Sequence, residues 1–146
     1  MRMRNRVAVM HGVNLDMLER RPSEVYGDLS LPRLERQISQ YAQELGLEAR
    51  YFQSNFEGEY VEELHRAADY ADGLILNPGA WTHYAWALRD AVEIAGLPAV
   101  EIHLSDIESR EEWRHHSVLA DIVIGRVMGE GVEGYRTALA KLKEAL

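Results

Sequence analysis

Two residues with acid–base chemistry stand two positions apart in the apolar run Ala99-Val100-Glu101-Ile102-His103-Leu104. Side chains alternate across a β-strand, so the carboxylate of Glu101 and the imidazole of His103 would share one face of a strand formed by this run. A carboxylate beside an imidazole fixes its tautomer and favours its protonated form, which suits a proton donor. From these two residues alone, a solvated glutamate and an incidental histidine near a strand end explain the pattern equally well.

A second candidate pair is Tyr26, which follows Arg21 in a polar loop. A phenol ionises near pKa ~10, so a tyrosine can act as a base only where a nearby cation stabilises the phenolate. The simpler interpretation of Tyr26 is an aromatic side chain that packs a turn. Arg110 and Arg114, four residues apart, predict two cations on one helical face, which could hold a carboxylate or influence a tyrosine. Arginines in such a pattern also commonly lie on the surface.

A third group of polar residues follows the short apolar run that begins at Gly73. Asn77-Pro78-Gly79 predicts a turn after a buried strand, and Thr82-His83 then opens a segment with helical spacing. Ligands of open α/β sheets bind outside the carboxyl ends of the strands. We therefore expect Asn77 and His83 to lie at a functional edge, together with Asn14, which follows the first apolar run.

Strands and helices alternate along the whole chain. The expected strands are Arg6–Met10, Leu47–Gln53, a third from Gly73, Ala99–Leu104 and a fifth within Leu119–Val127. Ser30 is expected to cap the first long helix, with Pro32 in its first turn and Gly46 at its end. The alternation predicts a flavodoxin-like doubly wound three-layer sandwich with a five-stranded parallel sheet, in a single domain spanning residues 1–146.

Composition narrows the possible functions. The net charge of -8 argues against nucleic-acid binding, so an anionic ligand would need local arginines. The only lysines are Lys141 and Lys143 in the closing helix, which disfavours a buried Schiff-base lysine. With no cysteine, no membrane-length apolar span and no zinc-like histidine spacing, we expect a soluble, cytoplasmic protein without a metal.

Several motifs, taken together and in order, resemble those of the type II 3-dehydroquinate dehydratases over essentially the whole chain. The motifs are Gly12-Val13-Asn14-Leu15, Arg21, Tyr26-Gly27, Gln53-Ser54-Asn55, Glu57-Gly58, Asn77-Pro78-Gly79-Ala80, Thr82-His83, Ala87-Leu88-Arg89-Asp90, Glu101-Ile102-His103-Leu104-Ser105, Arg110-Glu111 and Arg114-His115-His116-Ser117. Several spaced motifs that match together are far more specific than any one of them.

The resemblance implies a flavodoxin-like fold, a dodecamer built of trimers, and a cofactor-free dehydration of 3-dehydroquinate to 3-dehydroshikimate. It implies Tyr26 as the base, His103 as the acid, Arg21 as a transition-state-stabilising residue on a mobile lid, and Asn14 as a residue that steadies the enolate through a water. The implied substrate-binding residues are Asn77, His83, Leu104, Ser105 and Arg114, with Asp90 from a neighbouring subunit. We add Glu101 to the catalytic residues and Arg110 to the substrate-binding residues.

Four positions depart from the family pattern: His11, Val13 and Asp16 in the first motif, and Glu19 before the lid arginine. No residue with an assigned chemical role is missing, so we expect an active enzyme with altered lid behaviour. Two alternatives stay open. One is a catalytically silent paralogue that binds a small carboxylate and acts as an assembled sensor or scaffold. The other is an enzyme of the same mechanism that acts on a different β-hydroxy ketone.

Overall fold

Five parallel strands form one sheet in the order β2-β1-β3-β4-β5. A computed structural model describes residues 2–26 and 28–146; Gly27, which belongs to one of the motifs, and Met1 lie outside the described residues. The strands are β1 Arg6–His11, β2 Glu48–Gln53, β3 Gly73–Asn77, β4 Ala99–His103 and β5 Gly125–Met128. This strand order is that of the flavodoxin-like fold, so the predicted fold class is confirmed.

Helices cover both faces of the sheet. They are the single turn α1 Ser23–Tyr26 and the longer α2 Leu31–Glu44, α3 Glu57–Ala67, α4 Trp86–Ala95 and α5 Glu133–Lys143. Helices α2 and α5 pack together on one face, and α3 and α4 on the other, which gives two separate apolar clusters. Within residues 2–26 and 28–146, we find no helix of the length and apolarity that a bilayer crossing requires.

Helix α2 illustrates how local sequence sets the element boundaries. Ser30 is extended, and its hydroxyl accepts a hydrogen bond from the backbone N–H of Arg33. Pro32 lies in the first turn, where a missing N–H costs no intrahelical bond. The chain leaves the helix through Gly46, whose φ of 73° favours glycine. The predicted start and end of this helix are therefore confirmed.

The prediction for the fifth strand was only partly right. Residues 119–124 form turns, with Ile122 N–H donating to the Leu119 carbonyl at 3.0 Å, and the strand begins at Gly125. Leu119 and Ile122 instead pack into the cluster under α3 and α4. An apolar run therefore indicated burial here, but the buried segment is a turn and the strand is short.

The sheet order creates a crevice between two strands. From β1 the chain moves outward to β2, whereas β3, β4 and β5 extend on the other side of β1. The loops that leave the carboxyl ends of β1 and β3 therefore lead to helices on opposite faces of the sheet. This switch point is where doubly wound folds bind ligands. Short 3-10 helices Leu15–Arg20 and Gly79–His83 lie in these two loops.

Candidate active site

Glu101 and His103 lie on one face of β4, as predicted. The imidazole Nε2 is 2.6 Å from Oε2 of Glu101, and both side chains are buried. An ionised carboxylate can only accept, so Nε2 carries the hydrogen of this bond. The pair is therefore a built acid–base unit, not a solvated glutamate beside an incidental histidine.

The Glu101 carboxylate is held by three further donors. Thr82 Oγ1 donates to Oε2 at 2.6 Å, and Ser117 Oγ and Arg126 Nε donate to Oε1 at 2.8 and 3.2 Å. Burial by itself would raise the pKa of Glu101, but the bonds from His103, Thr82 and Ser117 lower it to about 2. Glu101 is thus ionised at neutral pH.

The Tyr26 hydroxyl lies between two guanidinium groups. Arg21 Nη2 donates to it, and Arg110 Nη1 donates at 2.7 Å. The guanidinium carbons also lie 4.2 and 5.3 Å from the centre of the Tyr26 ring, respectively. Two cationic donors hold this one phenol oxygen in place, so Tyr26 is more than a residue that packs a turn.

Arg110 and Arg114 do not share a helical face, contrary to the prediction. Arg110 is extended, with φ -105° and ψ -162°, between the 3-10 helices Ile107–Ser109 and Glu112–Arg114. The break in helical geometry turns the Arg110 side chain onto Tyr26, while Arg114 pairs with Glu111 at 3.2 Å. Both arginines nevertheless line the same cavity.

Two glycines bring the loops after β1 and β3 into contact. A Cβ on Gly12 would lie 2.7 Å from Pro78 Cα, and one on Gly79 would lie 2.7 Å from the Val13 carbonyl oxygen. Gly79 also has φ 65°. Side chains at either position would push the loops apart, so the glycines fix the crevice through which Asn14 and Asn77 are presented.

Asn14 adopts a left-handed conformation, with φ 67°, at the start of the 3-10 helix Leu15–Arg20. Its backbone N–H donates to Asn55 Oδ1 at 2.8 Å, and Asn55 Nδ2 donates to Asp16 at 3.1 Å. The carboxylate of Asp16, one of the four unusual positions, therefore supports this loop through Asn55. Two of the others lie elsewhere: His11 is fully buried in β1, and Glu19 is exposed.

Asn77 and His83 are both anchored by neighbouring backbone. Asn77 Oδ1 accepts from the Gly79 N–H at 3.2 Å. His83 Nδ1 is 2.7 Å from the His116 carbonyl oxygen, which only accepts, so Nδ1 carries the hydrogen. Burial, opposed by this bond, lowers the pKa of His83. A neutral His83 leaves its Nε2 free to accept a hydrogen bond from a ligand.

These side chains surround a cavity of about 370 Å³, which we call the arginine-lined cavity. Its lining includes the following ten predicted site residues: Asn14, Arg21, Tyr26, Asn77, His83, His103, Leu104, Ser105, Arg110 and Arg114. Of the two others, Glu101 lies buried behind His103, and Asp90 lies exposed on α4, outside the lining.

The cavity has a positive lining in an otherwise negative chain. Among the described residues, its wall contains four arginines and no aspartate or glutamate, although the net charge of the chain is -8. Such a lining concentrates anionic ligands at the site. The arrangement can bind a carboxylate, remove a proton with a phenolate and deliver a proton from an imidazole.

Sequence reasoning did not assign roles to the residues that hold the Glu101 carboxylate. Thr82 and Ser117 belonged to the recognised motifs, but nothing in their spacing indicated that both bind Glu101. Arg126 had one available signal, a charged residue inside an apolar strand, which in a sheet buried on both faces calls for a partner. Its partner, Glu101, is on the neighbouring strand.

The fold and cavity define a class of protein: a doubly wound α/β protein in which a tyrosine held by two arginines and a histidine held by a buried glutamate line one cavity at the carboxyl edge of the sheet. Residues 5–143 match the family model described as "Dehydroquinase class II". The chain belongs to the class II dehydroquinase family, and the resemblance seen in the motifs is confirmed.

Individual relatives match this chain over nearly its full length. A 3-dehydroquinate dehydratase from Pelotomaculum thermopropionicum is 49% identical over 134 residues, which cover 92% of this chain and 93% of the relative. The type II dehydroquinase structure from Butyrivibrio crossotus has a TM-score of 0.91 at 34% identity, covering 95% of this chain and 97% of the other. The one from Propionibacterium acnes has a TM-score of 0.90 at 37% identity, with 99% of both chains covered. These similarities support a catalytic role rather than a catalytically silent paralogue.

Proposed function

We propose that the chain is a hydro-lyase that removes water from 3-dehydroquinate to give 3-dehydroshikimate, without a cofactor, in the shikimate or quinate pathway. The observation that carries this proposal is the cavity itself, in which the Tyr26 hydroxyl, held by Arg21 and Arg110, faces the same space as His103. The names of the relatives supply the substrate. Residues 1–146 then act as a single catalytic domain.

Tyr26 is the proposed base. As a phenolate stabilised by Arg21 and Arg110, it takes the proton from the carbon next to the substrate ketone. The electron pair of that C–H bond moves onto the ketone oxygen and forms an enolate. Asn14, at the mouth of the crevice, steadies the enolate through a bound water, because a developing oxyanion requires fixed hydrogen-bond donors.

His103 is the proposed acid. The enolate returns its electrons to re-form the ketone and expels the hydroxyl group on the β carbon, which takes a proton from His103 and leaves as water. Since Nε2 is engaged by Glu101, Nδ1 is the nitrogen that remains to donate. Glu101 is ionised and stabilises the imidazolium that carries both protons.

The remaining lining residues hold the substrate. Arg114 and Arg110 supply positive charge for the substrate carboxylate. The proposed hydroxyl-binding residues are Asn77, His83, Leu104 and Ser105, the leucine through its backbone. Asp90 lies outside the cavity of its own chain, so we propose that it reaches the cavity of a neighbouring subunit.

We also propose a cytoplasmic dodecamer built of trimers. The supporting observation is the outer face of α4, where Trp86 is 57% and Ile94 69% exposed beside Asp90. Large apolar side chains exposed together commonly mark an interface. Light scattering on purified protein tests the proposal: a mass of twelve chains is expected, and a monomer active at full rate would contradict it.

Ultraviolet absorbance tests the activity. Purified protein with 3-dehydroquinate and a chelator should show rising absorbance, because the product is a conjugated enone and the substrate is not. Tyr26→Phe should abolish the rise while the fold is retained, as judged by circular dichroism. Binding of 3-dehydroquinate without any rise would contradict the proposal, and faster turnover of another β-hydroxy ketone would reassign the substrate.

A further inference from the structure

Arg126 contacts the buried acid site from outside the cavity. It lies on β5 in register with Glu101 on β4, and its Nε donates to Oε1 of Glu101 at 3.2 Å. Its side chain is 23% exposed, whereas that of Glu101 is fully buried. Arg126 is absent from the lining of the arginine-lined cavity and borders a separate cavity of about 620 Å³. It can therefore influence the chemistry only through Glu101.

The two oxygens of Glu101 have different partners. Oε2 accepts from His103 and Thr82, and Oε1 accepts from Ser117 and Arg126. In the described part of the chain, Arg126 is the one permanent cation hydrogen-bonded to this carboxylate. Its positive charge offsets part of the negative charge that Glu101 presents to His103.

The other titratable groups near Glu101 are weaker influences. His83, from the 3-10 helix Gly79–His83, has a pKa lowered by burial and is neutral. Tyr60, from α3, is fully buried, and burial raises its pKa well above the ordinary value, so it too is neutral. Thr82 and Ser117 are uncharged donors. The charge environment of Glu101 is therefore set by His103 and Arg126.

We propose that Arg126 is a positioning residue that limits how tightly Glu101 holds the proton of His103, and so sets the pH above which the acid fails. A carboxylate with no other cation would hold the imidazolium proton too firmly for efficient transfer to a leaving hydroxyl, because proton donation weakens as the donor becomes a poorer acid. This inference rests on the proposed role of His103 as the acid.

The test is the pH dependence of kcat/KM in two variants. Arg126→Gln keeps a hydrogen-bond donor but removes the charge. The alkaline limb of its pH profile should therefore move to higher pH by roughly half a pH unit to one pH unit. Arg126→Lys restores a cation, and its limb should return toward that of the wild-type enzyme. Arg126→Met, which replaces the apolar stem of the side chain without its charge, is used if the Gln variant does not fold.

A control separates this effect from a change in total charge. Arg136→Gln removes the same unit of charge from α5, where Arg136 pairs with Glu44 at 3.3 Å and is half exposed. Its alkaline limb should coincide with that of the wild-type enzyme. A limb that is unmoved in Arg126→Gln, with only the rate reduced, would overturn the inference and leave Arg126 a purely structural residue.

A second measurement does not depend on turnover. Nuclear magnetic resonance titration of histidine-labelled protein, with the His103 signal assigned from its loss in His103→Asn, should show the same upward movement in Arg126→Gln. Movement of this signal in a protein that never dehydrates 3-dehydroquinate would refute the proposed function and keep only the electrostatic link from Arg126 through Glu101 to His103. Normal turnover with an unmoved signal would refute the inference alone.

Discussion

Replacing Glu101 by glutamine removes a buried charge and leaves the side-chain shape almost unchanged. Burial opposes ionisation, but the bonds from His103, Thr82 and Ser117 lower the pKa of Glu101 from 4.5 to about 2. That difference corresponds to roughly 3 kcal/mol of native-state stability at pH 7. Glu101→Gln should lose this contribution and leave Arg126 without its anionic partner.

The pH dependence isolates the charge from the other effects of the substitution. Because the pKa is lower in the folded than in the unfolded chain, the stabilisation is complete above pH 4.5 and disappears as the pH falls toward 2. Between pH 7 and pH 3 the wild-type protein should lose about 2 kcal/mol from this group, and Glu101→Gln should lose none of it.

Urea unfolding at both pH values, at one protein concentration, provides the measurement. The difference in free energy of unfolding between wild type and Glu101→Gln should shrink by about 2 kcal/mol from pH 7 to pH 3. Glu62→Gln, at an exposed position of α3, is the control and should differ from wild type by the same small free energy of unfolding at both pH values. A constant difference for Glu101→Gln would refute the reasoning, since it would show that Glu101 is not specifically stabilised as a carboxylate.

Three further substitutions test other parts of the site. Arg21→Ala should lower kcat by roughly a hundredfold and change substrate affinity much less, because it removes a cation from the Tyr26 oxygen; unchanged turnover in a steady-state assay would remove Arg21 from the mechanism. Gly79→Ala should lower the free energy of unfolding in urea by about 2 kcal/mol or more, since the φ of Gly79 is 65° and an added Cβ would meet Val13. Gly131→Ala is the control and should cost less, because Gly131 has a similar φ of 60° but open space around it. Asp90→Ala should raise the substrate Kd about tenfold without changing the circular dichroism spectrum, and an unchanged Kd would contradict a site shared between subunits.

The fold and the Glu101–His103 pair were predictable because they depend on short-range periodicity. Alternation along a strand places residues two apart on one face, and strands alternating with helices produce a parallel sheet whose carboxyl ends meet at one edge. Short apolar runs predicted β3 and β4 well, because both strands are buried along their whole length. It failed around Leu119, because an apolar run shows that a segment is buried but not that it is extended.

The contacts that define the chemistry are long-range and were not predictable in the same way. Arg110 binds a hydroxyl 84 residues away, that of Tyr26, through an extended backbone that the four-residue spacing to Arg114 did not indicate. Ser117 and Arg126 reach Glu101 from a loop and from an edge strand. Such pairings depend on strand register and loop geometry, which the sequence specifies only through the complete fold.

The central claim is that Tyr26 removes the proton and His103 supplies one. Exchange of deuterium from the solvent into the substrate tests this claim most directly. In D₂O, proton magnetic resonance of 3-dehydroquinate follows the hydrogen on the carbon next to the ketone. We expect His103→Asn to exchange this hydrogen while forming almost no product, because the base remains but the acid is missing, and Tyr26→Phe to do neither. Exchange that persists in Tyr26→Phe and is lost in His103→Asn would contradict the account and reverse the two roles.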